Sequence, residues 1–233
     1  IGVAKHLQLR ITVLISDMEQ PLGRCAGNAL EMAEVFHFLN GGENDPRLEE
    51  LVYRLCSELL LQTGKAKSRD EAEEQCRASI KDGSAAKAMA MMLIGQGVSE
   101  ALVKELCGGR DLGGLHVYLN LMGKNCSYRK ELVSSVSGYI TKISALAIGT
   151  ATWRLGAGRS HPDDSIDYSV GIEIHKREGE SVKAGELLAT AHYNDESRLK
   201  NAWIEMENSF SIDPDSKLPA AKSRLVWKLL NDK

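Results

Sequence analysis

The chain is 233 residues long, 43% hydrophobic and 26% charged, with a formal net charge of −3. This is the make-up of a soluble globular protein of one large domain or two small ones. The slight acidity argues against a nucleic-acid partner, and no apolar run reaches bilayer-spanning length, so no membrane partner is expected.

The sequence opens at Ile1 and runs straight into Ile11–Ser16 (ITVLIS), a β-branched apolar run expected as a buried strand of an α/β sheet. An opening of this kind reads as a chain cut within a fold. Asp17–Gly27 is a loop punctuated by Pro21, Gly23 and Gly27. Asn28 is placed to cap a helix carrying Ala29, Met32, Ala33, Phe36 and Leu39 at helical spacing, ended by Gly41 and Gly42. Further helices are expected over Arg47–Gln62, Ser68–Lys81 (with Ser68 and Glu71 as a capping box), Ser84–Gly95 and Val98–Cys107. After the flexible junction Gly108–Gly114 the pattern changes. Ser134–Ile143, Ser169–His175 and Glu186–His192 read as strands, with Glu178–Gly185 a charged turn; Ala145–Leu155 and Glu196–Phe210 read as helices. The fold class is therefore α/β: the end of a large α/β domain, one buried strand plus helices, over residues 1–110; a linker over 111–133; a small α+β domain over 134–212; and a basic tail over 213–233.

Five widely spaced cysteines without a CxxC pair point to a reducing compartment, the cytoplasm, and six scattered histidines without HxxxH spacing offer no zinc site. His161, His175 and His192 are given no role, and Met89, Met91 and Met92 are expected to fill core gaps. Gly156–Arg159 (GAGR) could cradle a phosphate, but it follows a helix C-terminus, where the dipole repels anions, so a C-cap is the better reading. Lys176–Gly185 has the turn pattern of a lipoyl-type carrier hairpin without the carrier lysine, and is read as scaffold. Trp203, Leu225, Trp227 and Leu230 suggest terminal helices docked by apolar faces. The tail cations Lys217, Lys222, Arg224, Lys228 and Lys233 are read as a solvated helix face rather than a dock for an acidic partner.

Two long segments carry a resemblance. Ile15–Glu34 (ISDMEQPLGRCAGNALEMAE) resembles the signature SDMxQPLGxxxGNALEVxE of pyrimidine-nucleoside (thymidine) phosphorylases. Gly138–Asp195, with GYITKISALAIG, LGAGR and DSIDYSVGIEIHKREGESVKAGELLATAH, resembles the hammerhead-like C-terminal domain of the same family. Between them KAMAMMLIGQGVSEALVKELC keeps the family's spacing, so the likeness runs to about Phe210. The order and separation of the two motifs make it specific.

The resemblance implies a cytoplasmic, homodimeric pentosyltransferase. It would convert a pyrimidine nucleoside and inorganic phosphate reversibly into the base and a pentose 1-phosphate, with phosphate as co-substrate and no organic cofactor. That chemistry needs anion capture, stabilisation of charge on the leaving base and exclusion of water. In the family the phosphate- and base-binding residues precede the SDMxQPLG segment. No catalytic, phosphate-binding or base-binding residue is therefore assigned within the chain, which is expected to be inactive alone and to form a wall that closes over phosphate. The resemblance also implies a potassium-type cation held by the main-chain oxygens of Leu22 and Cys25 and by Glu34, a hard ion among oxygen ligands. The alternative for the same residues is that Glu31 and Glu34 form a solvated acidic helix face. The alternative for the whole chain is a catalytically inactive relative kept as a scaffold or interaction protein.

Overall fold

The computed structural model describes residues 1–159, 161–215 and 225–231. In chain order the elements are α1 (Gly2–His6), β1 (Thr12–Ser16), β2 (Cys25–Ala26), α2 (Asn28–Leu39), α3 (Pro46–Gln62), α4 (Arg69–Lys81), α5 (Ser84–Gly95), α6 (Glu100–Leu106) and α7 (Leu115–Leu121). They continue with β3 (Tyr128–Val133), β4 (Gly138–Ile143), α8 (Ala145–Thr152) running on into a π turn (Trp153–Ala157), β5 (Gly171–Ile174), β6 (Ser181–Val182), β7 (Leu187–Tyr193), α9 (Glu196–Glu207), β8 (Phe210–Asp213) and β9 (Val226–Asn231). Helices thus dominate the first half and strands the second.

The helix starts follow local chemistry. Asp45 caps α3 by accepting the Arg47 N–H over 2.9 Å, with Pro46 at the first helical position. Ser68 caps α4, and Glu71 reaches back to the N–H of Lys67, one residue before the cap. Ser99, Ser144 and Asp195 do the same work for α6, α8 and α9. Asn28 does not cap α2: Gly27 holds the cap position, and the Asn28 amide donates instead to the Ala157 carbonyl at 2.9 Å.

All the strand pairs are antiparallel, in three sheets among the described residues: β2-β5-β7-β3, β6-β4-β8 and β1-β9. The four-stranded sheet has two different faces, as the twofold alternation of a strand requires. One carries Ile172, Ile174, Ala189 and Ala191 into a core shared with Ile148 and Ala151 of α8 and Leu199, Ala202 and Met206 of α9. The other carries Glu173, Thr190 and His192 towards the helical half, where the His116 ring of α7 stacks on His192 at 5.8 Å. A second core, Leu30, Ala33, Phe36, Leu106, Tyr118 and Leu119, holds α2, α6 and α7 together.

Four further expectations change. The span 111–133 is not a bare linker, because α7 and β3 lie within it; Tyr128–Val133 (YRKELV) is charged and mostly exposed, and becomes a strand by pairing with β7. The strand at β1 is half-buried rather than buried, with Ile15 46% exposed. The terminal segment Val226–Asn231 is a strand paired with β1, not a helix; Lys217, Lys222, Arg224 and Lys233 lie outside the described residues. Met89 packs against the second core, but Met91 and Met92 are exposed.

Candidate functional site

The turn Pro21–Arg24 folds back over the α2 helix it precedes, and a single side chain organises it. Glu34, less than two turns into α2, is 8% exposed, and its Oε1 accepts the Arg24 N–H at 2.6 Å. A Cβ on Gly23 would run into the Glu34 carboxylate, so a side chain there would have to displace Glu34. Burial pushes the Glu34 carboxyl up; the Arg24 N–H, the Arg177 guanidinium and the Cys25 N–H pull partly against that. Glu31 accepts the Gly27 N–H at 3.0 Å. Glu34 is therefore no solvated face, whereas Glu31 is exposed and closes on the backbone at the start of α2. Cys25 is buried, and burial raises its thiol well above the usual range.

Glu34 supplies one buried carboxylate beneath the turn that holds Leu22, and Cys25 opens β2 directly after it. Among the described residues no three His, Cys, Asp or Glu side chains converge as a metal-binding group. An ion here would therefore depend on main-chain oxygens together with Glu34.

The turn is fastened to the sheet. Arg24 O accepts the Ile174 N–H at 2.7 Å, and Cys25 and Ala26 pair with Glu173 and Ile172. Gly27 has φ 133°, and a Cβ there would lie 2.5 Å from Val170 O. Beyond β5, Arg177 turns back to form a buried ion pair with Asp45 at the start of α3; Arg47 of that helix pairs with Asp17 at 3.2 Å. Arg177, just before the charged turn 178–185, thus ties the two halves together, and Lys176 is engaged by Glu186 at 2.5 Å. Sequence reasoning missed Arg177, since nothing in KREGE marks which cation will be buried.

The GAGR segment behaves as a helix end. Gly156 has φ 111°, the Gly156 carbonyl accepts the Asp167 N–H at 2.9 Å, and the Ala157 carbonyl accepts from Asn28. A neighbouring cleft of about 510 Å³ is lined by Lys124, Asn125, Asp167, Tyr168, Asp195 and Arg198. Its two cations face two carboxylates, so it presents no net positive field to an anion. His175 Nε2 lies 2.8 Å from Thr190 Oγ1, and His192 is 1% exposed between α7 and the sheet.

Residues 139–213 match the family described as the pyrimidine nucleoside phosphorylase C-terminal domain. Over 227 residues the chain is 34% identical to a pyrimidine-nucleoside phosphorylase of Staphylococcus epidermidis, covering 97% of this chain and 48% of that protein. It is 32% identical over 229 residues to one of Staphylococcus haemolyticus, with the same coverage. It is 34% identical over 228 residues to a thymidine phosphorylase of Mycobacterium tuberculosis, covering 97% of this chain and 47% of that one. The chain spans about half the length of the curated relatives it matches.

Proposed function

From a chain similar over nearly its whole length to the pyrimidine-nucleoside phosphorylase family, in keeping with that family's C-terminal half, we propose that the active protein is a pentosyltransferase. It phosphorolyses a pyrimidine nucleoside reversibly to base and pentose 1-phosphate. Within it, residues 1–233 are architectural, and the groups that capture phosphate and stabilise the leaving base belong to polypeptide outside them. The observation that supports this reading most is the likeness across 97% of the chain, both signature segments included.

The chain's own residues then act by placement. The Glu34-anchored turn, the ladder of β2 with β5 and the Arg177–Asp45 pair fix one rigid wall. Closing such a wall on a bound nucleoside excludes water and aligns phosphate with the sugar carbon it attacks. A potassium-type cation at Leu22, Cys25 and Glu34 would supply positive charge beneath the turn. We further propose a cytoplasmic homodimer; no helix among the described residues is long and apolar enough to cross a membrane.

The test is a phosphorolysis assay of purified residues 1–233 with thymidine and uridine, together with sequencing of the 5′ end of the message. No turnover by the chain alone, and a reading frame that continues upstream into a Gly- and Ser-rich phosphate loop, would support the proposal. Turnover by the chain alone would sink the placement of the site, and a start site close to Ile1 would favour a non-enzymatic scaffold.

A further inference from the structure

A second cluster lies on the polar face of the four-stranded sheet and owes nothing to the phosphorolysis reading. Cys126 sits in the segment between α7 and β3, half-buried, flanked by exposed residues on both sides. Its Sγ is 3.6 Å from His192 Nδ1 and 3.1 Å from the Tyr128 carbonyl. The His192 ring is almost wholly enclosed, and its other nitrogen, Nε2, lies 3.4 Å from Glu173 Oε2, an ion-pair contact too poorly aligned for a hydrogen bond. His116 stacks on the same ring, with its own Nε2 3.7 Å from Glu173 Oε2. Thiol, imidazole and carboxylate therefore stand in a row, the enclosed His192 ring lying between a half-buried Cys126 and a half-buried Glu173.

We propose that Cys126 is the nucleophilic thiol of this chain, a site of thiol–disulfide exchange with low-molecular-weight disulfides, with His192 as its proton partner and Glu173 as the group that orients His192. The Cys126 proton passes to His192 Nδ1, and the thiolate attacks one sulfur of the disulfide. A new S–S bond forms at Cys126 as the old one breaks, and the departing sulfur keeps the electron pair and takes the proton from His192. Cys126 is oxidised to a mixed disulfide and one thiol of the reagent is released.

The surroundings agree with this. Burial by itself would raise the Cys126 thiol, but His192 and Arg129 together bring it below the ordinary range. His192 shifts the opposite way: burial would lower it, and Cys126 and Glu173 raise it. The other charged or titratable groups facing the pair include Glu173 and His175 around β5, His116 on α7 and Tyr193 on β7. By contrast, burial raises the thiols of Cys25, Cys76 and Cys107.

The experiment treats the full chain with limiting 5,5′-dithiobis(2-nitrobenzoate) at pH 6.5, quenches in acid and maps the labelled peptides. Cys126 is expected to react at least about tenfold faster than each of the other cysteines, and His192→Gln to slow it about tenfold. Should His192→Gln fail to fold, the native chain decides alone. Its Cys126 rate is expected to level off below the pH of about 8.5 at which a free thiol is half ionised. Labelling of Cys126 no faster than its neighbours, or a rate that climbs through pH 8.5 like a free thiol, overturns the proposal.

Discussion

Arg177, beyond the end of β5, closes a buried ion pair on Asp45, the residue that caps α3. The two belong to different halves of the chain, and both side chains are largely withdrawn from water. Removing one partner of such a pair strands the other, at a cost of about 3–5 kcal/mol. Asp45→Asn keeps a capping oxygen for the Arg47 N–H but loses the charge, and is expected to lower unfolding free energy by about 3 kcal/mol in urea titrations. Arg177→Met added to Asp45→Asn should cost less than the two single changes summed.

Asn40 makes a smaller bracket of the same type. Its amide donates to Leu106 O at 2.7 Å and to the Tyr118 hydroxyl at 3.1 Å, and its oxygen accepts the Gly109 N–H at 2.9 Å, all in the second core. Asn40→Ala orphans several buried groups and is expected to cost about 2–3 kcal/mol; Tyr118→Phe should cost about 1 kcal/mol. Chemical denaturation of the two singles and the double should show coupling, and strict additivity would mean that the bond contributes nothing.

Gly171 marks a tight approach of β5 to β2 and the start of α2. A Cβ there would meet the Ala26 carbonyl and lie 2.6 Å from Leu30 Cδ1. Gly171→Ala is therefore expected to push β2 off the sheet and lower stability by about 2–3 kcal/mol. Faster hydrogen exchange at Ile174 N–H, which donates to Arg24 O, would report that detachment directly.

A cation at the turn makes its own prediction. Potassium chloride, compared with choline chloride at equal ionic strength, should raise the midpoint of thermal unfolding of the native chain through binding to the folded state. Glu34→Gln should abolish the difference. Equal midpoints in the two salts for the native chain would remove Leu22, Cys25 and Glu34 from consideration as ligands.

Acid should loosen the loop before α9. Burial would raise the Asp167 carboxyl, but hydrogen bonds from Asn194 and Ser169 outweigh it, so the group titrates below its ordinary value of 3.8. Asp195 is lowered as well, by Ser197 and the Arg198 N–H. A carboxyl depressed in the fold stabilises above its unfolded pKa, and that contribution disappears as pH falls through the folded value. The native chain should thus lose stability between about pH 4 and 2, and Asp167→Asn should show a shallower slope over that interval.

What the sequence disclosed was whatever is decided within a few residues. The cap at Ser68 and the helix ends at Gly41 and Gly156 were legible for that reason. β3 was hidden because YRKELV has a charged surface and acquires its conformation from β7. β9 looked helical because Leu and Lys suit either conformation, and only pairing with β1, more than 200 residues earlier, chooses the strand. The signature segment announced the turn, but not that Glu34 is consumed by the Arg24 N–H, since that depends on the loop folding back over its own helix. His192 gave no signal at all: Cys126, Glu173 and His116 reach it from three separate elements.

Strand β2 is only two residues long, yet it is hydrogen-bonded into the sheet while its covalent continuation is α2. The seam between the two halves therefore runs through a ladder instead of along a loose contact. Torque applied to α2 is delivered to β5 without slack, and no pivot can operate there unless ladder and ion pair give way together. For large-scale movement the helices and the sheet form one lever, and its fulcrum must be sought elsewhere.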